Sequence, residues 1–288
     1  MIMFWVAVLA ISILLYVLLD GFDLGVGILF GMARDDERRA TMLSAVSPVW
    51  DGNETWLVVT GVVLWGAFPP VYATLFSAFY LPLLMMLTGL VLRGVAFEYR
   101  HRAEGSRWIW DIAFAGGSLV AAFIQGMMVG ALVEGLPIAD GQYTGGEFGW
   151  LSPFAMLCGV GFAVFVYALA AHLQVMDRWL ERPYLLVFPI IGAAAAGGLA
   201  YSVRYRRDRV PFSMVALTFA AAFGTLAISF WPYMIPFSIT IDAAAAPHAS
   251  LAFMFWGEGL FVFPLMLTYA AINYAVFRGK IRSSHEHY

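Results

Sequence analysis

Charged residues and cysteines are scarce in this chain of 288 residues. Only 12% of the residues are charged, 62% are hydrophobic, and the mean hydropathy is +0.80. These values exclude the soluble globular class and predict a polytopic membrane protein. The single cysteine, Cys158, lies in an apolar run, which excludes a disulfide framework or a thiolate metal cluster within the chain and predicts simple packing.

Basic clusters, phosphate loops and histidines inside apolar runs are also lacking. The net charge is −3 and the basic residues lie in short loops, which argues against nucleic-acid binding. No glycine-rich phosphate loop and no repeated Glu-x-x-His pattern of a di-iron bundle is present. Of the five histidines, only His172 lies at the end of a predicted span. Because a haem needs an inward axial ligand, we expect this chain alone to bind no haem and no metal.

Apolar runs long enough to cross a bilayer recur along the chain. Hydrocarbon about 30 Å thick needs about 20 helical residues. The predicted fold is therefore an all-α polytopic membrane protein with about eight transmembrane helices in two four-helix-bundle-like halves, residues 1–133 and 151–288, joined by an outward loop at 134–150. The predicted spans are roughly 4–30, 46–69, 71–92, 112–133, 151–171, 184–203, 212–231 and 251–277.

The second span draws acidic residues into the membrane. Between Glu54 and Pro69 lie only fourteen residues, about 21 Å of helix, which is too short to cross. We expect this helix to extend back through the motif WDGNETW at residues 50–56, towards Val46. Asp51 and Glu54 would then lie in or against the membrane.

Four carboxyl groups thus mark the first two spans. Asp20 and Asp23 are three residues apart, as are Asp51 and Glu54, so each pair is predicted to share one helix face. An acid near the membrane centre costs about 2.5 to 3.5 kcal/mol, so four imply a cost on the order of 10 kcal/mol, less at shallower depth. Polar partners, water or protons must offset this cost.

Glycines accompany the first acidic pair. Gly21 and Gly25, and then Gly27 and Gly31, leave little side-chain bulk on span one, which predicts the close approach of another helix.

Proton or ion chemistry is the activity that these residues favour. Carboxyl groups in a poorly solvated interior form proton relays with polar groups and water, although a purely structural ion-pair role is also open. Arg93, near the end of span three, is expected to pair with one of the acids. Glu258, in span eight, is predicted to be a fifth buried carboxyl group of uncertain role. The expected supporting residues are Arg93, Glu98, Arg100, Asn53, Trp50 and Trp56.

Basic residues give the orientation of the front half. Arginines follow spans one and three, whereas the loops after spans two and four have none. We therefore expect the amino terminus outside and the acidic motifs towards the cytoplasm. The arginines of the back half cannot all be cytoplasmic with eight crossings, so a segment around residues 174–203 is either re-entrant or breaks the rule.

Several motifs resemble subunit II of the cytochrome bd-type quinol oxidases. They are DGFDLGVG at residues 20–27, PVWDGNETWL at 48–57, AFP at 67–69 with Tyr72, RGVAFEYR at 93–100 and FRGK at 277–280. Their order and spacing extend the resemblance over nearly the whole length.

The resemblance implies the non-haem subunit of a terminal respiratory oxidase in a bacterial or archaeal cell membrane. Such an enzyme oxidises quinol and reduces dioxygen to water, with haem b and haem d held by a larger subunit I. The resemblance also implies a cytoplasmic proton path in which Asp51 takes part, with Asp20, Asp23 and Glu54 as further members. A structural quinone, a small single-span subunit and membrane lipid are further partners that it allows.

One departure from the family concerns length. Family members usually have about 340 to 380 residues and nine crossings, so this chain is expected to lack material after the fifth span. Two other hypotheses remain at this point. A proton-coupled secondary transporter should show inverted repeats, whereas the acids here cluster in one half. A membrane scaffold would explain the glycines but not the acids.

Overall fold

A computed structural model describes residues 1–103, 105–139, 141–161, 182–205 and 210–276. Helices dominate these residues. A 3₁₀ turn lies at Pro183–Leu186 and a π turn at Phe255–Gly259. The helices are α1 (Ile2–Met32), α2 (Asp36–Val46), α3 (Trp50–Ala67), α4 (Pro69–Ala78), α5 (Tyr80–Arg100), α6 (Arg107–Glu134), α7 (Pro153–Gly159), α8 (Val187–Arg204), α9 (Val210–Phe230), α10 (Ile241–Ala244), α11 (His248–Met254) and α12 (Val262–Val276).

Two small antiparallel hairpins are present, and the first lies in the predicted outward loop at 134–150. Strand β1 (Ile138–Ala139) pairs with β2 (Gln142–Tyr143), and β3 (Tyr233–Ile235) pairs with β4 (Ile239–Thr240). The first hairpin lies between α6 and α7, and the second between α9 and α10.

The predicted class of all-α polytopic membrane protein is confirmed. Within the described residues, six helical stretches are long and apolar enough to cross a membrane. The predicted fifth span, 151–171, falls partly on residues 162–171, which lie outside the described residues. The six stretches are Ile2–Met32, Tyr80–Arg100, Arg107–Glu134, Tyr184–Arg204, Val210–Phe230 and His248–Val276.

The second and third spans begin and end elsewhere than predicted. Helix α2 ends at Val46 and α3 starts only at Trp50, because Pro48, in the turn between them, has no amide hydrogen with which to continue the hydrogen bonds of α2. The span predicted over 71–92 was wrong in its bounds. The backbone leaves the helical region at Phe79, so α4 is a separate short helix and the long helix is Tyr80–Arg100. The apolar sequence runs through this break without a change.

Helix α1 is the central element of the front half, packed against both α3 and α6. A Cβ added at Gly27 would overlap Ser118 Oγ, and one at Gly31 would lie 2.9 Å from Ala115 Cβ. The predicted close approach therefore occurs at this glycine pair. At Gly21 and Gly25 an added Cβ would meet nothing within 4 Å, so the predicted approach is not seen there.

A second glycine contact, between α5 and α6, fixes the position of Arg93. Helices α5 and α6 touch at Gly89 and Gly117, where a Cβ on Gly89 would lie 2.8 Å from the Gly117 carbonyl oxygen. This close packing holds α5 against α6 one turn before Arg93. The side chain of Arg93 is thereby fixed on the inner face of α5, where it is fully buried.

The back half is less buried within the described chain. Helix α8 packs against α9, but each buries only two residues, and α12 buries none. The segment Tyr184–Arg204 is long and apolar enough to cross a membrane, whereas residues 174–181 of the suspected re-entrant segment lie outside the described residues. The division into two four-helix bundles stays a prediction.

Candidate functional site

Three helices of the front half meet at one arginine. The Nη2 atom of Arg93 on α5 donates to Asp20 Oδ1 on α1 at 2.5 Å and also to Glu54 Oε1 on α3. The side chains of Arg93 and Asp20 are 0% exposed, and that of Glu54 is 23% exposed. One guanidinium group thus ties α1, α3 and α5 together inside the helix packing.

A second limb of the site joins α1, α3 and α12. Asn53 Nδ2 donates to Asp23 Oδ2 at 2.8 Å, and the Tyr274 hydroxyl donates to Asn53 Oδ1 at 3.0 Å. Asp23 and Asn53 are both buried. Because Asn53 and Glu54 are consecutive on α3, one helix turn contributes to both sets of hydrogen bonds. We call Asp20, Asp23, Asn53, Glu54 and Arg93 the Arg93 cluster.

The Arg93 cluster contains polar atoms that its own residues leave unpaired. Among the described residues, five buried side-chain nitrogen or oxygen atoms have no hydrogen-bond partner. Four of them belong to this cluster: Asp20 Oδ2, Asp23 Oδ1, Arg93 Nε and Arg93 Nη1. Buried polar groups are nearly always paired with protein or ordered water. The cluster therefore has the donors and acceptors to hold water or a mobile proton.

Two residues beside the cluster were missed by the sequence reasoning. The Tyr16 hydroxyl accepts a hydrogen bond from Gln125 Nε2 on α6 at 2.7 Å, and Tyr16 lies one turn before Asp20 on α1, close enough to interact with it electrostatically. Tyr274 was missed as well. The helical spacing of Tyr16, Asp20 and Asp23 could have revealed the first, whereas only the fold brings Tyr274 to Asn53.

Asp51 lies apart from the buried acids. It is exposed at the start of α3, although it is near enough to Glu54 to act on it electrostatically. The two acids are three positions apart, as the sequence showed. Glu54 nevertheless points inward to Arg93, whereas Asp51 stays exposed at the start of α3. Thr55 and Thr60 bond to carbonyl oxygens of their own helix and do not join the cluster.

Aromatic side chains border the site. Trp50 stacks on Phe97 with ring centroids 5.1 Å apart, and the buried Trp56 meets Phe263 of α12 edge-on at 6.2 Å. Trp50 also covers Gly94, where a Cβ would lie 3.2 Å from its ring. Trp50 and Phe97 also line a cavity of about 300 Å³, together with Ser47, Glu98, His101 and Arg102.

Arg100 and Glu98 do not join the Arg93 cluster. Arg100 Nε donates to Asp111 Oδ1 at 2.5 Å, and Arg39 Nη1 donates to the other oxygen of the same carboxylate at 2.8 Å. Glu98 forms an exposed pair with Arg102 at 2.6 Å. We call Arg39, Arg100 and Asp111 the Asp111 cluster.

Glu258 is not the buried carboxyl group that the sequence predicted. It lies in the π turn before α12 with its side chain exposed. The apolar residues around Glu258 in the sequence indicate that it lies within a span, but they do not indicate which way its side chain points.

The described histidines offer no axial position for a haem. His101 lies exposed at the rim of the cavity, and His248 is exposed at the first position of α11. His172 lies outside the described residues. Neither described histidine projects into the helix packing, which an axial ligand in a helix bundle requires.

Comparisons with known proteins agree with the motifs. Cytochrome bd-I ubiquinol oxidase subunit 2 of Escherichia coli (strain K12) is 37% identical over 164 residues, which are 54% of this chain and 43% of that protein. Cytochrome bd ubiquinol oxidase subunit 2 of Bacillus subtilis (strain 168) is 33% identical over 160 residues, which are 54% of this chain and 47% of that protein. The matched region thus spans less than half the length of these relatives.

A solved structure shows the same fold. A chain in the structure of bd oxidase from Geobacillus thermodenitrificans superposes with a TM-score of 0.69 at 17% sequence identity, covering 96% of this chain and 99% of that chain. The model of the family described as cytochrome bd terminal oxidase subunit II matches residues 1–181 and 164–277. The motif resemblance is confirmed, and the chain belongs to the cytochrome bd terminal oxidase subunit II family.

Proposed function

We propose that this chain is the non-haem subunit of a cytochrome bd-type terminal oxidase, which oxidises quinol and reduces dioxygen to water. Family membership and the names of the relatives support this role. A haem-bearing subunit I would hold the b-type and d-type haems and oxidise the quinol. The present chain would support that subunit and carry protons towards it, because each dioxygen reduced to two waters consumes four protons.

The observation that carries the proposal is the composition of the Arg93 cluster. It places three carboxyl groups, Asp20, Asp23 and Glu54, around a single guanidinium group. With every group ionised, the cluster would have an excess of two negative charges. Removing an unbalanced charge from water costs several kcal/mol per ion, so binding of protons stabilises the cluster. Its unpaired polar atoms supply the places where water or protons would be held.

The order of the acids gives the proposed route. Asp51 is exposed at the rim, Glu54 follows one turn further along α3, and Asp20 shares Arg93 with Glu54. Asp23 lies next to these groups on α1 and is held by Asn53. Protons would enter at Asp51 and pass inward through Glu54 to the two aspartates.

The proposed orientation places this entry on the cytoplasmic side. Arg34, Arg38 and Arg39 follow α1, and Arg39 and Arg100 meet at Asp111, so the basic residues of the first and third loops lie at one end of the helices. The positive-inside rule then assigns this end to the cytoplasm and the amino terminus to the outside.

The experiment is the substitution Asp51→Asn in the purified complex. We expect oxygen consumption per haem to fall about tenfold, the equivalent of about 1.4 kcal/mol in the barrier, while haem content stays near that of the unmodified complex. Asp242→Asn, which removes an exposed acid in the first turn of α10, is the matched control and should leave turnover unchanged. Unaltered turnover in Asp51→Asn would show that this carboxyl group is dispensable.

Purification separates the oxidase from a proton-coupled transporter. The oxidase requires that the tagged chain elute with a larger haem-bearing chain and show haem bands in an optical spectrum. A colourless chain that elutes alone and takes up a substrate would favour the transporter.

A further inference from the structure

A polar pair lies between α1 and α6 beyond the Arg93 cluster. Gln125 Nε2 on α6 donates to the Tyr16 hydroxyl on α1 at 2.7 Å, and Tyr16 is buried. Tyr16 is near the middle of α1, about 24 Å from Met32 at a rise of about 1.5 Å per residue. Polar groups at this depth cost free energy unless they are hydrogen-bonded, so each donor and acceptor of the pair needs a partner.

The Tyr16 hydroxyl keeps one hydrogen to donate. A phenolic hydroxyl both accepts and donates, and Gln125 uses its accepting side. The Asp20 carboxyl group is one helix turn away on the same face of α1, near enough to interact with this hydroxyl. Its Oδ1 atom is taken by Arg93, whereas Oδ2 is buried and has no partner within the described part of the chain. A free donor and a free acceptor are therefore neighbours inside the helix packing.

The Asp20 carboxyl group also explains which way the Gln125 amide is turned. An ionised carboxylate only accepts hydrogen bonds, and these are roughly twice as strong as bonds between neutral groups. The hydroxyl hydrogen of Tyr16 is therefore directed to Asp20. Gln125 must then present its Nε2 atom, rather than Oε1, to the hydroxyl oxygen, and so fixes the direction of the hydroxyl group.

The buried polar side chains of α1 that can act on Asp20 from the membrane centre end at Tyr16. Among the first fifteen residues of the chain, the one hydroxyl is that of Ser12, which donates to a carbonyl oxygen of its own helix at 2.8 Å. No acid precedes Asp20 in the sequence. Asp20 is therefore the innermost acid of α1 on the proposed route, and Tyr16 is the group that borders it.

We propose that Tyr16 is a positioning residue of the proton path, which donates to Asp20 Oδ2 and so fixes this carboxyl group for proton uptake from Glu54. This inference rests on the proposed function and deepens it. Arg93 holds the other oxygen, so the carboxyl group cannot turn away from the guanidinium that it shares with Glu54. A carboxylate has about four acceptor sites, so two hydrogen bonds leave room for a proton. In the transfer the O–H bond at Glu54 breaks, one forms at Asp20, and the negative charge returns to Glu54.

The test measures turnover of the purified complex with its haem-bearing partner. Tyr16→Phe keeps the ring and removes the hydroxyl. We expect kcat to fall about three- to tenfold, with KM for quinol and haem content unchanged. The ratio of the rates in H₂O and D₂O should rise, because proton delivery through Asp20 becomes the slow step. Ser12→Ala, which removes a buried hydroxyl bonded within α1 one turn away, is the matched control and should change none of these quantities.

A double-mutant cycle separates positioning from packing. If Gln125 acts through Tyr16, Gln125→Leu alone lowers kcat, and its addition to Tyr16→Phe lowers kcat no further. Additive losses would overturn the inference, as would a lower unfolding temperature of Tyr16→Phe with kcat and the isotope ratio unchanged. If Asp51→Asn slows turnover and Tyr16→Phe does not, the inference alone fails. Unaltered turnover in Asp51→Asn would instead contradict the proposed proton path.

Discussion

The Arg93 cluster and the Asp111 cluster differ in composition. In the first, one arginine is shared by two carboxylates, Asp20 and Glu54, deep among α1, α3 and α5. In the second, one carboxylate is shared by two arginines, Arg39 and Arg100, at the end of the helices. The first has an excess of acid, whereas in the second Asp36 also lies 3.7 Å from Arg100 Nη2, so that two carboxylates face two arginines.

The two clusters also differ in whether their buried polar atoms have hydrogen-bond partners. The five buried unpaired atoms among the described residues include four from the Arg93 cluster and none from the Asp111 cluster. In the Asp111 cluster both arginines also lie 5.4 Å from the centroid of the Phe30 ring, which adds cation–π stabilisation. We infer that the Asp111 cluster fastens the helix ends, whereas the Arg93 cluster is arranged to hold an additional group.

The largest expected effect is that of Arg93→Met. The substitution leaves Asp20 and Glu54 in a buried site without their cation, and breaking a buried ion pair in this way costs about 3 to 5 kcal/mol. We expect little folded complex, measured as monodisperse protein after detergent extraction and as the temperature at which it is lost.

Arg102→Met is the matched control for Arg93→Met. Arg102 pairs with Glu98 at the surface, and an exposed pair contributes about 0 to 1 kcal/mol. Equal losses of folded complex in the two variants would contradict the special position of Arg93.

Asp111→Asn comes next and is expected to separate stability from turnover. The carboxylate accepts charge-assisted hydrogen bonds from Arg39 and Arg100, and hydrogen bonds to charged groups contribute about 1.5 to 3 kcal/mol. We expect a lower unfolding temperature of the complex with unchanged oxygen consumption per haem. A loss of turnover without a loss of stability would reverse the roles assigned to the two clusters.

Gly27→Ala tests the packing of α1, which carries both acids of the first motif. The new methyl group would overlap Ser118 on α6, and overpacking of this kind costs about 1 to 3 kcal/mol. Gly21→Ala, where the surroundings are open, should be neutral. Ser118→Gly in the Gly27→Ala background should restore part of the stability, and failure to do so would locate the strain elsewhere.

The sequence revealed the chemistry of the site more fully than its geometry. Arg93 and the four acids stand out because charge within apolar runs is costly and so needs a partner. The spacing of Asp51 and Glu54 puts them near one helix face but does not say which of them faces the core. The direction of Glu258 was hidden for the same reason, because apolar residues surround it on every side of the span.

Long-range contacts and helix breaks explain the other differences. Tyr274 reaches Asn53 across 221 positions, and Gln125 reaches Tyr16 across 109, so no local pattern reports either contact. The break at Phe79 lies within a continuous apolar run, and Pro82 is tolerated in the first turn of α5, where helix amide groups lack partners in any case. Hydropathy alone therefore predicted the length of this membrane helix but not the residue at which it begins.

Tyr274→Phe has the smallest expected effect. It tests the hydrogen bond from Tyr274 to Asn53 of the Arg93 cluster. The hydroxyl donates to Asn53 Oδ1 at 3.0 Å, and losing such a bond costs about 0.5 to 1.5 kcal/mol. Asn53 also donates to Asp23, so a loosened amide would shift the hydrogen bond of that carboxyl group. We expect a small loss of thermal stability and a loss of turnover below that of Asp51→Asn. Tyr80→Phe, at an exposed tyrosine that begins α5, should change neither quantity, and a greater effect there than at Tyr274 would remove Tyr274 from the site.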